Sequence, residues 1–196
     1  AALDNHIGVV GVAPEAQLYA AKVLDHTGSG YLSDVADAIR WCASNEPGMH
    51  VQVINMSLGS STGATLLQNA VDYAASQGVV MVAAAGNDYG GPVSYPAHYS
   101  DVIAVSAVNS GLNLASFSNY GPEIDFAGPG VSVYSTYYGS SYATLSGTSM
   151  AAPHVAGVAA LRVASGSLGM VGMDIGLPPN QQGDGLIDAL ATVQNQ

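Results

Sequence analysis

Three short apolar runs, separated by segments with helical patterning, constrain the fold of this 196-residue chain most strongly. They occupy residues 51–57, 79–85 and 102–108. None has the regular alternation of apolar and polar residues that is typical of a strand with one solvent-exposed face. Runs of this kind are typical of strands buried on both faces of a parallel sheet. We therefore predict an α/β fold with three layers, in which helices cover both faces of a mostly parallel sheet.

Apolar periodicity and turn residues predict the remaining elements. We expect helices over residues 31–45, 65–77, 149–164 and 185–193, and a further strand over residues 17–24. A hairpin is expected from residues 131–134 and 142–145 around Gly139 and Ser140, with residues 165–182 irregular. The sequence has no internal repeat and a length that suits one core, so residues 1–196 are predicted to form a single domain.

The charge balance restricts the class of partner. The chain has 3 basic and 14 acidic residues, which gives a net charge of −11. We therefore expect neither nucleic acid nor an anionic membrane surface as a partner. No apolar run reaches the roughly 18 residues needed to span a bilayer. Cys42 is the single cysteine, so no internal disulfide can form, and its place in a helical pattern predicts a buried small side chain.

Ser149 stands where a turn gives way to an alanine-rich helical pattern. Gly147 and Thr148 before it are turn formers, and small residues continue as far as Ala164. Backbone N–H groups at the start of a helix lack partners and can stabilise negative charge on a nearby oxygen. Acyl transfer by a serine nucleophile needs such stabilisation, although an isolated serine at this position is most often a helix cap.

The residues around Ser149 resemble the nucleophile motif of the subtilisin family of serine proteases. Residues 147–157 read GTSMAAPHVAG. The resemblance implies a serine endopeptidase that cleaves peptide bonds through an acyl-enzyme on Ser149. It also implies a structural role for His154, which follows Ser149 by five residues and is therefore rotated from it by roughly 140° around a helix axis.

A second segment resembles the part of this family that forms the oxyanion hole. Residues 83–88 read AAAGND and follow a predicted buried strand directly. An asparagine here could simply form a turn, but the resemblance implies that the Asn87 side chain and the Ser149 backbone N–H both donate to the oxyanion. In subtilisin itself, loss of the side-chain donor lowers turnover by about 10²–10³.

Two glycine-containing triplets resemble the family segments that hold a substrate peptide by strand addition. They are Gly28, Ser29, Gly30 and Ser57, Leu58, Gly59. Each triplet alone would be a simple turn. The resemblance also implies small walls for the first specificity pocket, contributed by Ala84, Gly86 and Ser94, with Tyr95 nearby. Such walls favour a large apolar side chain before the scissile bond, while Asp88 could admit some basic preference.

Residues 3–9, which read LDNHIGV, resemble the family's calcium loop. The implied ligands are the carbonyls of Leu3, Ile7 and Val9 and the side chain of Asn5. Oxygen ligands suit a hard cation such as calcium. The family's site also takes ligands from upstream segments, including a carboxylate, which this sequence does not contain. The carbonyls of Ala97, Tyr99 and Val102 resemble a second, weaker cation site.

The general base and its orienting acid are absent from this sequence. The family carries them as Asp-Ser/Thr-Gly and His-Gly-Thr motifs, in the chain order Asp, His, Ser. Neither motif occurs here, and His6, His26, His50 and His98 carry no base motif. We therefore expect the C-terminal portion of a subtilisin-like protease, completed by an upstream segment that supplies Asp, His and a central strand.

The leading hypothesis is a secreted serine endopeptidase with a protein or peptide substrate, a structural calcium ion and a propeptide. The alternative hypothesis is a catalytically inactive peptide-binding module that keeps the substrate groove. Intact Ser149 and Asn87 argue against that alternative. An unrelated α/β hydrolase does not fit, because that fold expects Gly-x-Ser-x-Gly around its nucleophile.

Overall fold

The computed structural model describes residues 4–44, 46 and 50–195. Its helices are α1 (Leu32–Ala43), α2 (Thr65–Ser76), α3 (Thr148–Ser165), α4 (Pro179–Gln182) and α5 (Ala189–Gln194). Its strands are β1 (Val53–Met56), β2 (Val80–Ala84), β3 (Val102–Val108), β4 (Ile124–Pro129), β5 (Val133–Tyr137), β6 (Ser141–Leu145), β7 (Val171–Met173) and β8 (Leu186–Asp188). No described helix has the length and apolarity needed to cross a bilayer.

Six strands form one sheet in the order β1-β2-β3-β4-β8-β7. All neighbouring pairs are parallel except β7 and β8, which run antiparallel. Strands β5 and β6 form a separate antiparallel hairpin, closed by Gly139 and Ser140 with φ of 71° and 58°. The predicted α/β class with a mostly parallel sheet is confirmed.

Consecutive residues of the central strands are buried on opposite faces of the sheet. Met81 and Ala83 pack on the side covered by α1 and α2, whereas Val82 and Ala84 pack beneath α3. A fully buried valine or methionine contributes about 1.5–3 kcal/mol to the free energy of unfolding. Because both faces are covered, these strands favour apolar residues on both sides, which explains why their sequences are almost entirely hydrophobic.

The strand predicted over residues 17–24 is wrong. These residues have no strand structure, and they are mostly exposed; Leu18, for example, is 67% exposed. A strand is stabilised by a hydrogen-bonded neighbour and by packing of its side chains. Val23 packs against the core, but residues 17–24 belong to none of the described strand pairs, so apolar content alone does not make them a paired strand.

The prediction for the C-terminal part is also corrected. Residues 165–182 were expected to be irregular, but they contain the end of α3, strand β7 and the short helix α4. The helix expected over residues 185–193 begins only at Ala189, because residues 186–188 form β8. Asp188 caps α5 by accepting the Ala191 N–H at 2.9 Å.

Other boundaries differ by a few residues. Strand β4 was not predicted from the sequence. The helix predicted over residues 31–45 corresponds to α1, and its last residue, 45, lies outside the described residues. Cys42 lies on α1, is half-buried, and packs against the core between the sheet and the helices α1 and α2.

The fold brings several chain segments to one edge of the sheet. Parallel β1 and β2 end at Met56 and Ala84, so the residues that follow them emerge side by side. The start of α3 reaches the same edge, because the Gly147 N–H donates to the Gly130 carbonyl at 2.8 Å just beyond β4. In open α/β sheets this edge is where functional sites form.

Candidate active site

Ser149 is the second residue of α3, and its hydroxyl faces the end of β1. The Ser149 Oγ donates to the Ser57 carbonyl at 3.3 Å. In return, the Ser57 Oγ donates to the Ser149 carbonyl at 2.9 Å and accepts from Asn55 Nδ2 at 3.0 Å. This reciprocal pair fixes the first turn of α3 against β1. Ser149 is half-buried and lines a groove of about 280 Å³ that the β5–β6 hairpin borders.

Asn87 follows β2 and is held by Thr148. Its Oδ1 accepts hydrogen bonds from the Thr148 N–H at 2.9 Å and the Thr148 Oγ at 3.0 Å. The Nδ2 end of the amide is therefore directed away from these bonds, and it lies 3.6 Å from a Cβ built on Gly147. Asn87 itself is exposed. An amide donor thus lies beside the N-terminus of α3, where first-turn N–H groups have no partner within the helix.

Thr148 is a site residue that the sequence analysis treated only as a turn former. Its side chain is fully buried, and its Oγ also accepts the Gly86 N–H at 3.1 Å. Thr148 therefore connects α3 to the residues that carry Asn87. The sequence signal is a hydroxyl residue directly before the candidate nucleophile, and this signal does not distinguish a helix cap from a link between elements.

Of the residues expected around the first specificity pocket, Gly86 and Ser94 lie against each other. Gly86 has φ of 110°, and a Cβ added there would lie 2.6 Å from the Ser94 Oγ and 2.4 Å from the Asn119 Nδ2. A Cβ on Gly59 would lie 3.1 Å from the Ser94 Cβ. Ala84 is only 4% exposed and packs in the core beneath α3. The side chains of Ser94 and Asn119 therefore leave no room for a larger residue at position 86.

The two segments expected to hold a substrate peptide lie on different elements. Residues 57–59 follow β1, and the next residue, Ser60, exchanges backbone hydrogen bonds of 2.9 Å with Tyr95. Residues 28–30 form an exposed turn before α1. No hydrogen bond joins the two segments within the described ranges. The first segment is thus tied to the residues around Ser94, while the second stands apart from it.

Asp25 closes the turn that contains residues 28–30. Its Oδ1 accepts hydrogen bonds from the Thr27 N–H at 2.8 Å, the Thr27 Oγ at 2.6 Å and the Ser29 N–H at 3.1 Å. The Thr27 hydroxyl first, and then the two N–H groups, lower the pKa of this exposed carboxyl. Ionised Asp25 therefore shapes the turn, which borders a cavity of about 430 Å³.

The loop expected to bind calcium is only partly described. Leu3 lies outside the described residues. Asn5 Oδ1 accepts the Ile7 N–H at 3.1 Å, Ile7 is 68% exposed, and Val9 is half-buried. Two residues of this loop have a left-handed backbone conformation: His6, with φ of 62°, and Gly8, with φ of 68°. Within the described residues, no group of three or more His, Cys, Asp or Glu side chains converges.

The histidines of the described residues do not hydrogen-bond to Ser149. The His154 Nδ1 lies 2.8 Å from the Met150 carbonyl one turn earlier in α3. The His98 Nδ1 lies 3.3 Å from Glu123 Oε1. His6, His26 and His50 are exposed. In the part of the chain that the structure describes, Ser149 therefore has no imidazole positioned to accept its proton.

A serine at a helix N-terminus beside a fixed side-chain amide donor has the elements of an acyl-transfer site, in which the amide stabilises an oxyanion. Residues 1–167 match the subtilase family, peptidase S8, and the chain belongs to this family.

Relatives of known name agree with this assignment. The chain is 58% identical over 161 residues to the thermostable alkaline protease of Halalkalibacterium halodurans, and 55% identical over 161 residues to subtilisin Savinase of Lederbergia lenta. It is 54% identical over 165 residues to subtilisin NAT of Bacillus subtilis subsp. natto. The matches cover 82% of this chain but 44%, 58% and 42% of those proteins, respectively. The chain thus spans about half the length of these relatives.

Proposed function

We propose that the complete protein to which this segment belongs is a serine endopeptidase, with Ser149 as nucleophile and Asn87 in its oxyanion hole. The observation that carries the proposal is the orientation of the Asn87 amide. Its oxygen accepts two hydrogen bonds from Thr148, which turns Nδ2 away from Thr148 and leaves it free to donate beside the N-terminus of α3. Membership of the subtilase family and relatives named alkaline protease and subtilisin support the same reaction.

In this reaction Ser149 Oγ attacks the carbonyl carbon of the scissile peptide bond, and its proton passes to a histidine. Asn87 Nδ2 and the Ser149 backbone N–H stabilise the negative charge that develops on the carbonyl oxygen. The proton then moves to the amine, which leaves, and water releases the acyl group from Ser149. The histidine and its orienting aspartate are assigned to an upstream segment of the same protease.

The substrate is proposed to be an extended peptide held between residues 28–30 and 57–59. Backbone hydrogen bonds provide affinity in this mode, and pockets for alternate side chains provide specificity. The glycine at position 86 and the small Ser94 favour a large apolar side chain before the scissile bond. The exposed carboxylate of Asp88 nearby admits some basic side chains.

Calcium is proposed as a structural ion at the loop of residues 3–9. Asn5, Ile7 and Val9 offer only oxygen donors, which fits a hard cation, and Asn5 Oδ1 keeps a lone pair beyond its bond to the Ile7 N–H. The remaining ligands, including a carboxylate, are assigned to the upstream segment. We also propose secretion, with a propeptide as a further partner; the single Cys42 and the cation loop support an exported protein.

A serine-directed fluorophosphonate tests the proposal. The complete protein should be labelled rapidly and should cleave a peptide substrate, whereas Ser149→Ala should do neither. Asn87→Ala should fold normally and lose turnover by about 10²–10³, the loss known for this donor in subtilisin. The isolated segment should be labelled slowly or not at all. A complete protein that binds peptides but is neither labelled nor active would instead be the peptide-binding module.

A further inference from the structure

We propose that Asn119 is a positioning residue for the oxyanion donor, because it fixes the backbone on both sides of Asn87. The proposal rests on the proposed function, since it assigns Asn119 to the same site. Asn119 lies between β3 and β4, 31 residues from its partner Asp88, and no motif in the sequence connects it to Ser149. It is fully buried, at 0% exposure.

The Asn119 side chain makes three hydrogen bonds to the loop after β2. Its Oδ1 accepts the Asp88 N–H at 2.6 Å. Its Nδ2 donates to Asp88 Oδ2 at 2.9 Å and to the Pro92 carbonyl at 2.8 Å. The Asn119 backbone N–H adds a fourth bond, to the Gly86 carbonyl at 2.9 Å. Buried amides satisfied in this way hold a loop in one conformation.

These bonds lie on either side of Asn87. The Gly86 carbonyl belongs to the peptide group before Asn87, and the Asp88 N–H belongs to the peptide group after it. Asn119 therefore fixes both peptide planes that join at the Asn87 Cα. Thr148 holds the Asn87 side chain through Oδ1. Asn119 and Thr148 together therefore fix the orientation of the Asn87 side-chain amide, and with it the direction in which Nδ2 can donate.

Gly86 allows this close approach. A Cβ at position 86 would lie 2.4 Å from Asn119 Nδ2, so any other residue would displace the buried amide. The left-handed φ of 110° at Gly86 points to the same requirement. The arrangement therefore depends on three residues from separate parts of the chain: Gly86, Asn119 and Thr148.

Loss of a positioning residue should lower kcat more than it raises KM, since the oxyanion exists only in the transition state. The test uses the complete protein and compares Asn119→Ala, Asn87→Ala and the double variant. Asn119→Ala should lower kcat by about 10- to 100-fold, below the limit of about 10²–10³ for full loss of the donor, with KM within about 3-fold. With Asn87 already removed, Asn119→Ala should lower kcat by less than about 3-fold.

Asn109→Ala is the matched control. Asn109 Oδ1 likewise stabilises a loop, by accepting the Gly111 N–H at 2.9 Å and the Asn113 N–H at 3.1 Å, but it makes no bond to residues 86–92. Its kcat should change by less than about 2-fold. An equal loss of kcat from Asn119→Ala with and without Asn87 would overturn the proposal, as would an unchanged kcat.

Two further measurements keep the proposal testable. If Asn119→Ala fails to fold, Asp88→Ala removes an exposed partner of Asn119; it should lower kcat by at least about 3-fold only when Asn87 is present. If the wild-type protein cleaves nothing, the proposed function fails. The positioning role can still be tested, because the NMR resonances of the Asn87 side-chain amide report its environment. The Asn87 resonances should shift in Asn119→Ala and stay in place in Asn109→Ala, and unshifted resonances in both would refute the positioning role.

Discussion

Thr148→Val removes one oxygen from the buried link between α3 and Asn87 and leaves the side-chain shape nearly unchanged. The fold offers a matched control in Thr192, which is also fully buried. The Thr192 Oγ accepts the Val171 N–H at 2.9 Å and donates to the Asp188 carbonyl at 2.6 Å, far along the chain from Asn87. Both threonines thus use one hydroxyl to accept one bond and donate another, but only Thr148 contacts Asn87, the proposed oxyanion donor.

The cost of Thr148→Val follows from its hydrogen bonds. The Gly86 N–H loses its acceptor, which costs about 1–3 kcal/mol. Asn87 Oδ1 keeps its bond from the Thr148 N–H, so loss of the hydroxyl donor costs a further 0.5–1.5 kcal/mol or so. The free energy of unfolding should therefore fall by about 1.5–4.5 kcal/mol, and Thr192→Val should cost a similar amount.

Catalysis should separate the two variants. Thr148→Val removes one of the two hydrogen bonds that hold the Asn87 amide. The kcat of this variant should fall about tenfold, which corresponds to about 1.4 kcal/mol of transition-state stabilisation. Urea denaturation and steady-state kinetics on the complete protein measure both quantities. Equal kcat values for the two variants, or a loss of kcat in Thr192→Val, would refute the reasoning that Thr148 acts through Asn87.

Three further predictions concern the fold. Partial burial raises the pKa of the Cys42 thiol, which lowers the fraction of reactive thiolate near pH 8. Iodoacetamide should therefore alkylate Cys42 about tenfold more slowly than a free thiol, and an equal rate would contradict the raised pKa. Desolvation raises the pKa of Asp125, a β3 N–H opposes this shift, and the charge of Asp184 adds to it. The folded state then holds this proton more tightly than the unfolded chain. Stability is therefore lost as pH rises above the ordinary value of 3.8, and Asp125→Asn should flatten that loss in urea midpoints at several pH values; an unchanged slope would argue against it. A Cβ on Gly128 would lie 2.9 Å from the Ala151 carbonyl oxygen, so Gly128→Ala should push α3 from β4 and lower the free energy of unfolding by about 1–3 kcal/mol; an unchanged urea midpoint would contradict this close contact.

The central strands could be predicted because each is apolar at all but at most one position and lies between two covered faces. Residues 17–24 contain similar apolar residues and form no strand, since pairing depends on a neighbour that local sequence does not reveal. Strands β4 and β8 were missed for the opposite reason. Both contain or adjoin Asp, Gly or Pro, and β8 has only three residues. Their neighbours in the sheet supply the hydrogen bonds that define them.

The same distinction applies to the candidate site. Ser149 and Asn87 could be proposed from the sequence because each lies in a local motif. Thr148 and Asn119 act through partners 61 and 31 residues away along the chain, and a single sequence carries no signal for such pairs. The motif thus identified the groups that would touch a substrate, whereas the residues that orient them became visible only in the folded chain.

Strand β1 has a practical consequence for handling the segment. In the described sheet it pairs with β2 alone, so its outer row of backbone N–H and C=O groups can template another strand. Repulsion between copies with a net charge of −11 opposes such contacts. Salt weakens this repulsion, since the Debye length falls from about 10 Å at 0.1 M to about 3 Å at 1 M. A separately produced segment should therefore stay in solution in dilute buffer and precipitate irreversibly during salting-out.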